Sequence, residues 1–240
     1  MNISHEHKII WWAPERCGTK ATAHIFSKLG FDFFQDETET GKSITEDGIT
    51  YQSHNIKYPE KYNDYKIICN IRNPYDRMVS LFSNFTNVGK SFVYTKNNPQ
   101  KLITTYESFI REMLLYNKAV TIEDLEDKPI QKSYLAKYHF DNRIPDTFIK
   151  MESLEEDLGK LDFVRESEIW KSGYIHDYLI KNNHINIKPY KFNEIYTFES
   201  AKRVYEYHKK QFIICEYDPF SFTKEELSNE EKMRFIHDIL

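Results

Sequence analysis

One stretch constrains this chain more than any other: an unbroken apolar run that ends on a short turn holding a proline and a glycine. From Ile9 to Ala13 the residues are apolar with no alternation. Such a run reads as a strand buried on both faces. Pro14 to Thr19 then reads as a tight turn. Ala21 to Leu29 reads as a helix with Ala21, Ile25, Phe26 and Leu29 on one face, and Gly30 ends it. A buried strand, a tight loop and a helix N-terminus together make a place for an anion. The loop amides point inward, the helix dipole adds positive potential, and Arg16 and Lys20 bring full charges. The same pattern also fits an ordinary strand–turn–helix unit with Arg16 in solvent.

Composition limits what surrounds that stretch. The chain has 240 residues, 40% of them hydrophobic and 15% aromatic, so a full core is within reach. A single α/β domain over 1–240 is expected. The formal net charge is −4, which gives no global positive field for nucleic acid, so an anionic ligand needs a local basic pocket. Cys17, Cys69 and Cys215 are far apart with no CxxC pair, which argues against a disulfide framework and against a zinc site. No apolar run reaches membrane-spanning length, and Ile9 to Ala13 is too short for a signal-peptide core. The expectation is a soluble, cytoplasmic protein without a membrane span, whose oligomeric state the pattern does not specify.

A second buried strand is expected from Tyr65 to Ile71. It runs straight into Arg72-Asn73-Pro74-Tyr75-Asp76-Arg77-Met78-Val79-Ser80. Pro74 suits the first turn of a helix whose apolar face is Met78, Leu81, Phe82 and Phe85. Arg72 then lies at the C-terminal end of a strand, where open parallel sheets bind ligands. Ser80 lies two turns into the helix. A guanidinium fork and a hydroxyl can hold one phosphate from two sides. The plainer alternative pairs Arg72 with Asp76 and leaves Ser80 solvated. Between the two strands, Ile49 to His54 alternates like a strand and ends on His54, a candidate general base.

The other segments read as follows. Residues 1–7 are a polar tail and Phe31 to Phe34 a short strand. Asp36 to Gly48 is a loop. Gly41-Lys42-Ser43 and Gly89-Lys90-Ser91 look like the end of a phosphate-binding Walker loop, but Asp36 and Asn84 stand where its first glycine belongs. Ile103 to Asn117 is an amphipathic helix with Thr104 and Glu107 as its capping box. It belongs to a helical insertion, about 90–130, on the acceptor side. Ile144 to Glu152 is a strand, followed by a helix capped by Ser153 and Glu156. Residues 165–195 read as a mobile polar and aromatic segment. Thr197 to Cys215 is a helix. Thr223 and Glu226 cap a last one, so that 221–240 forms a C-terminal helical tail.

Two of these motifs together resemble a known family. Pro14-Glu15-Arg16-Cys17-Gly18-Thr19 is similar to the 5′-phosphosulfate loop of sulfotransferases that use 3′-phosphoadenosine-5′-phosphosulfate (PAPS). Arg72 to Ser80 is similar to their 3′-phosphate motif, with Arg and Ser eight positions apart. Asp146 to Leu158 resembles the family's D-x-x-(apolar)-x-x-E-x-L-x-x-D-L stretch, and Thr197 to Cys215 with Glu216-Tyr217-Asp218-Pro219-Phe220 resembles the C-terminal signature of its carbohydrate branch. The resemblance covers roughly residues 8 to 220 by pattern. The Gly-rich C-terminal motif of the cytosolic small-molecule branch is missing, which favours the carbohydrate branch.

The resemblance implies a P-loop-NTPase-like parallel sheet flanked by helices. It implies PAPS as sulfuryl donor, adenosine 3′,5′-bisphosphate (PAP) as product, no metal, and a hydroxyl acceptor on a carbohydrate. Arg16 would neutralise the transferring group and the leaving phosphate oxygen. Cys17, Gly18, Thr19 and Lys20 would donate backbone amides to the 5′ group, and Arg72 and Ser80 would hold the 3′-phosphate. His54 would be the base. Two other classes stay open on the residues alone. One is a P-loop-type nucleotide kinase or phosphotransferase, disfavoured by the missing Walker pattern. The other is a non-catalytic nucleotide- or glycan-binding module.

Overall fold

The computed structural model describes residues 2–12, 14, 16–30, 42–46, 49–53, 62–85, 100, 103–104, 106–107, 109–110, 144–182 and 192–237. The chain falls into two compact units. One comprises Met1–Arg72 and Ala136–Ile187, the other Asn73–Leu135 and Lys188–Leu240. Among the described residues no helix is long and apolar enough to cross a membrane.

The first unit is α/β. Its main sheet has four strands in the order β1-β2-β5-β6, with β1 Asn2–Ser4, β2 Ile9–Trp12, β5 Lys66–Ile71 and β6 Thr147–Lys150. Strands β2, β5 and β6 are parallel, with Trp11 beside Ile68 and Asn70 beside Ile149. β1 runs antiparallel to β2, with Ile3 opposite Ile10. The sheet is therefore mixed rather than wholly parallel. The expected polar tail at 1–7 is corrected in the same way: Asn2, Ile3 and Ser4 are buried in an edge strand. Their polarity is tolerated because the ladder and the bond from Asn2 Nδ2 to the Trp11 carbonyl (3.3 Å) supply partners.

The apolar run works as its lack of alternation suggests. Ile9 and Trp11 face one side of the sheet, with Ile68 and Ile149. Ile10 faces the other, with Ile3 and Ile67. Helix α1, Thr19–Lys28, packs on the first side through Ala23, Ile25 and Phe26. Phe26 is fully buried and meets Trp11 edge to face, which contributes about 2–3 kcal/mol from burial alone. Ala21 and Leu29 are only partly buried against this core. The buried stripe is thus rotated toward Thr19, Thr22 and Ala23.

A second, two-stranded sheet pairs β3, Lys42–Glu46, with β4, Ile49–Ser53, antiparallel, Lys42 opposite Ser53. β4 was expected. β3 replaces part of the expected loop and takes in Lys42 and Ser43 of the Walker-like tripeptide. After β6 the chain makes four short helices: α3 Leu154–Gly159, α4 Asp162–Arg165, α5 Glu168–Lys171 and α6 Tyr174–Asn182. The expected mobile segment is therefore helical as far as Asn182. Buried Ile175, with Ile169, Trp170, Tyr178 and Leu179 partly buried beside it, anchors it in the α1-side core.

Two aspartates lock β6 in place. Asp146 Oδ2 accepts the Ile67 amide at 2.7 Å. Buried Asp157 accepts the Lys150 amide at 2.8 Å and the Ser153 hydroxyl at 2.9 Å through the same Oδ2. Ser153 stands at the N-cap of α3 but donates its hydroxyl to Asp157, so it does not act as the accepting cap that its position suggested.

The second unit is helical. It contains α2, Pro74–Phe85, α7, Phe198–Ile214, and α8, Asn229–His237. Met78, Leu81 and Phe82 of α2 are buried, as their spacing required, beside Val204, Phe212, Phe222 and Phe235. Three buried tyrosines link its parts. Tyr75 OH donates to the Pro219 carbonyl (2.6 Å), Tyr106 OH to Tyr196 OH (2.6 Å), and Tyr196 OH to the Tyr75 carbonyl (3.0 Å). Burial pushes the Tyr75 and Tyr196 hydroxyls well above their usual titration range, so both stay neutral.

Two capping expectations in this unit are corrected. Residues 100, 103 and 104 are all helical, and the Thr104 hydroxyl donates back to the Gln100 carbonyl at 3.1 Å, so Thr104 is not an N-cap. Glu107 instead accepts the Thr197 hydroxyl. At α8 the capping box is Ser228 with Glu231, not Thr223 with Glu226: the Glu231 amide donates to Ser228 Oγ (3.2 Å) and the Glu231 carboxylate accepts the Ser228 amide (2.8 Å).

Candidate anion-binding site

Strand β2 delivers the chain into the loop that ends at Gly18, the N-cap of α1. Arg16 and Gly18 both take positive φ, 64° and 74°. For arginine that conformation is uncommon and costs about 1–2 kcal/mol, so something must hold it. Arg72, directly after β5, donates from Nη1 to the Arg16 carbonyl at 3.0 Å. Asn70 Nδ2 donates to the Cys17 carbonyl at 3.0 Å. The Thr19 hydroxyl donates to the Pro14 carbonyl at 2.7 Å. The loop is thus tied to β5 at two successive carbonyls and closed on itself by a third bond.

These bonds decide where the amides point. In a planar trans peptide the N–H lies opposite the carbonyl of the preceding residue, and the described chain has no cis peptide. With the Arg16 and Cys17 carbonyls turned to β5, the amides of Cys17 and Gly18 are aimed the other way. The Gly18 carbonyl accepts the Thr22 amide (3.1 Å) and the Thr22 hydroxyl (3.3 Å), which starts α1 and directs the Thr19 amide out along its axis. The amides of Cys17 and Gly18 therefore lie on the side of the loop away from β5, next to the α1 N-terminus, an arrangement that suits an oxyanion.

Nothing in the first turn of α1 neutralises those amides. Gly18 offers no side-chain cap, and no acidic residue lies in the turn. Among the described residues, the dipole's positive end meets no acidic side chain in that turn. Arg16 is half-buried, and among the described residues its Nε is buried with no hydrogen-bond partner. A buried guanidinium N–H without an acceptor is costly. A phosphate or sulfate oxygen would satisfy it. Lys20 is exposed on the first turn and adds positive charge there.

The sequence-derived site residues can now be located. Arg16, Cys17, Gly18, Thr19, Lys20 and Arg72 all belong to the first unit; Arg72 bonds directly to the Arg16 carbonyl, and Asn70 holds that of Cys17. The Thr19 hydroxyl has a structural use as a donor to Pro14, which leaves only its lone pairs and its amide for other work. Ser80 is half-buried on α2 in the second unit. His54 lies outside the described residues.

Three residues shape the site without having been singled out from sequence. Asn70 is wholly buried and bonds to both the loop and α1. Thr22 receives one of those bonds. Met151, in the turn after β6, would stand 2.4 Å from a Cβ placed on Gly18. A lone asparagine inside the apolar strand Ile67–Ile71 was the available signal for the first. No protein-family model, curated protein or solved structure matches the chain. What the loop can bind is therefore decided by its own chemistry.

Proposed function

We propose that this chain is a PAPS-dependent sulfotransferase that moves a sulfuryl group to a hydroxyl, on a carbohydrate acceptor. One observation carries the reading: among the described residues, the α1 N-terminus has no side-chain cap and no acidic residue in its first turn, and the Nε of Arg16 is buried with no acceptor. That donor set fits the 5′-phosphosulfate end of PAPS. The motif resemblance adds the 3′-phosphate and assigns it to Arg72 and Ser80.

PAPS, when bound, supplies an activated sulfuryl group whose departure leaves negative charge on a phosphate oxygen. Arg16 and the amides of Cys17, Gly18, Thr19 and Lys20 meet that charge. Because the bonds to Asn70 and Arg72 fix the loop beforehand, little reorganisation is needed as charge develops, and one such donor is typically worth about 3 kcal/mol of barrier. His54 takes the proton of the acceptor hydroxyl, a role that contributes roughly 10²- to 10⁴-fold.

The test is transfer of radiolabelled sulfur from PAPS to a panel of desulfated glycans, run in EDTA. The reading expects label on at least one glycan and none with an Arg16→Ala variant. Binding of the bisphosphate with no transfer to any hydroxyl would instead favour a non-catalytic binding module. Activity only with ATP and Mg²⁺ would favour a kinase.

A further inference from the structure

The residue that organises the loop belongs neither to it nor to the two sequence motifs. Asn70, on β5, is wholly buried. Its Oδ1 accepts the Trp11 Nε1–H at 2.6 Å. Its Nδ2 donates to the Cys17 carbonyl at 3.0 Å and to the Thr22 hydroxyl at 2.8 Å. The primary amide is the only neutral side-chain group that can accept from an indole and donate twice from one planar end. Trp11 fixes which end faces the loop, because an inverted amide would set its NH₂ against the indole N–H.

We infer that Asn70 is a positioning residue for anion binding: it holds the Cys17 carbonyl back against the sheet, and so aims the Gly18 amide into the proposed anion site. Thr22 joins the same amide to the first turn of α1, so strand, loop and helix start move as one piece. The inference deepens the function proposed above and rests on it.

The test substitutes Asn70→Asp and measures affinity for adenosine 3′,5′-bisphosphate and for inorganic pyrophosphate by calorimetry at pH 8 and pH 5.5. Ionised, the new side chain cannot donate to Cys17, and it puts negative charge under that site. Protonated, it regains one O–H donor in the same shape. Relative to wild type at the same pH, the variant should bind both probes at least ~10-fold more weakly at pH 8. The deficit should narrow severalfold at pH 5.5. A purely structural role for Asn70 predicts lower stability toward urea with no pH-dependent gap in affinity, and that result would overturn the inference.

If Asn70→Asp does not fold at pH 8, Thr22→Val keeps the shape and removes one acceptor of the clamp. A loss of about 3- to 10-fold in affinity is then expected, and unchanged affinity would overturn the inference. Failure of wild type to bind either probe would instead remove the proposed function, and this inference with it.

Discussion

Gly18 meets two requirements that no residue with a side chain meets without cost. Its φ of +74° lies in the left-handed region, and a Cβ there would come within 2.4 Å of Met151 Sδ. Met151 can swing aside, but the backbone cost of about 1–2 kcal/mol stays. Gly18→Ala should therefore lower the unfolding free energy measured in urea by about that amount and weaken bisphosphate binding, because its amide belongs to the proposed anion site. Arg72 does a different job. Its bond to the Arg16 carbonyl means that Arg72→Ala releases the loop as well as removing a positive charge. Bisphosphate affinity should fall by at least ~10-fold, a charged hydrogen bond being worth about 1.5–3 kcal/mol. His54→Ala should leave bisphosphate affinity unchanged and lower turnover by roughly 10²- to 10⁴-fold. Normal turnover in that variant would remove His54 as the base.

Single elements show what local sequence can and cannot announce. β2, β5 and β6 were legible as short apolar runs, and α1, α2 and α7 because their apolar residues repeat with the helical period. β1 and β3 were not. Asn2-Ile3-Ser4 and Lys42-Ser43-Ile44-Thr45-Glu46 are strands through pairing, with little apolar pattern of their own. The short helices α4 and α5 span four residues each, barely one turn, and periodicity cannot register over so few. The loop Pro14 to Lys20 was readable as a turn between strand and helix, yet two residues that shape it act from elsewhere in the sequence, Asn70 on β5 and Met151 just after β6. At α8 the cap itself makes a prediction. The Ser228 amide, and then its hydroxyl, bond to the Glu231 carboxylate and hold its pKa below the ordinary 4.5. A depressed acid stabilises the fold above its unfolded value, and that stability disappears as pH falls through the folded value. The melting temperature of Glu231→Ala should therefore lie below wild type at pH 7, and the gap should close below pH 4. A gap that persists at pH 3 would mean that the helix end is held by something else.

At the scale of the molecule, charge and site point in different directions. The chain as a whole is acidic, at −4, so the field that draws an anion must be local. The described part of the first unit supplies it from backbone amides, the α1 dipole, Arg16 and Arg72. Bulk positive charge plays no part. A site built this way should bind a nucleotide bisphosphate without a divalent cation, since the loop amides and Arg16 would meet its phosphate oxygens in place of a metal. A nucleoside triphosphate site of the Walker kind relies on Mg²⁺ held by its own hydroxyl and carboxylate. The most direct measurement is a thermal-shift titration with adenosine 3′,5′-bisphosphate in EDTA, beside ATP with Mg²⁺. At 100 times its dissociation constant, a ligand that binds only the folded state adds about 2.7 kcal/mol of stability, which such a titration resolves. The account predicts a shift with the bisphosphate and none with ATP and Mg²⁺; a shift only with ATP and Mg²⁺, or with neither ligand, would contradict it.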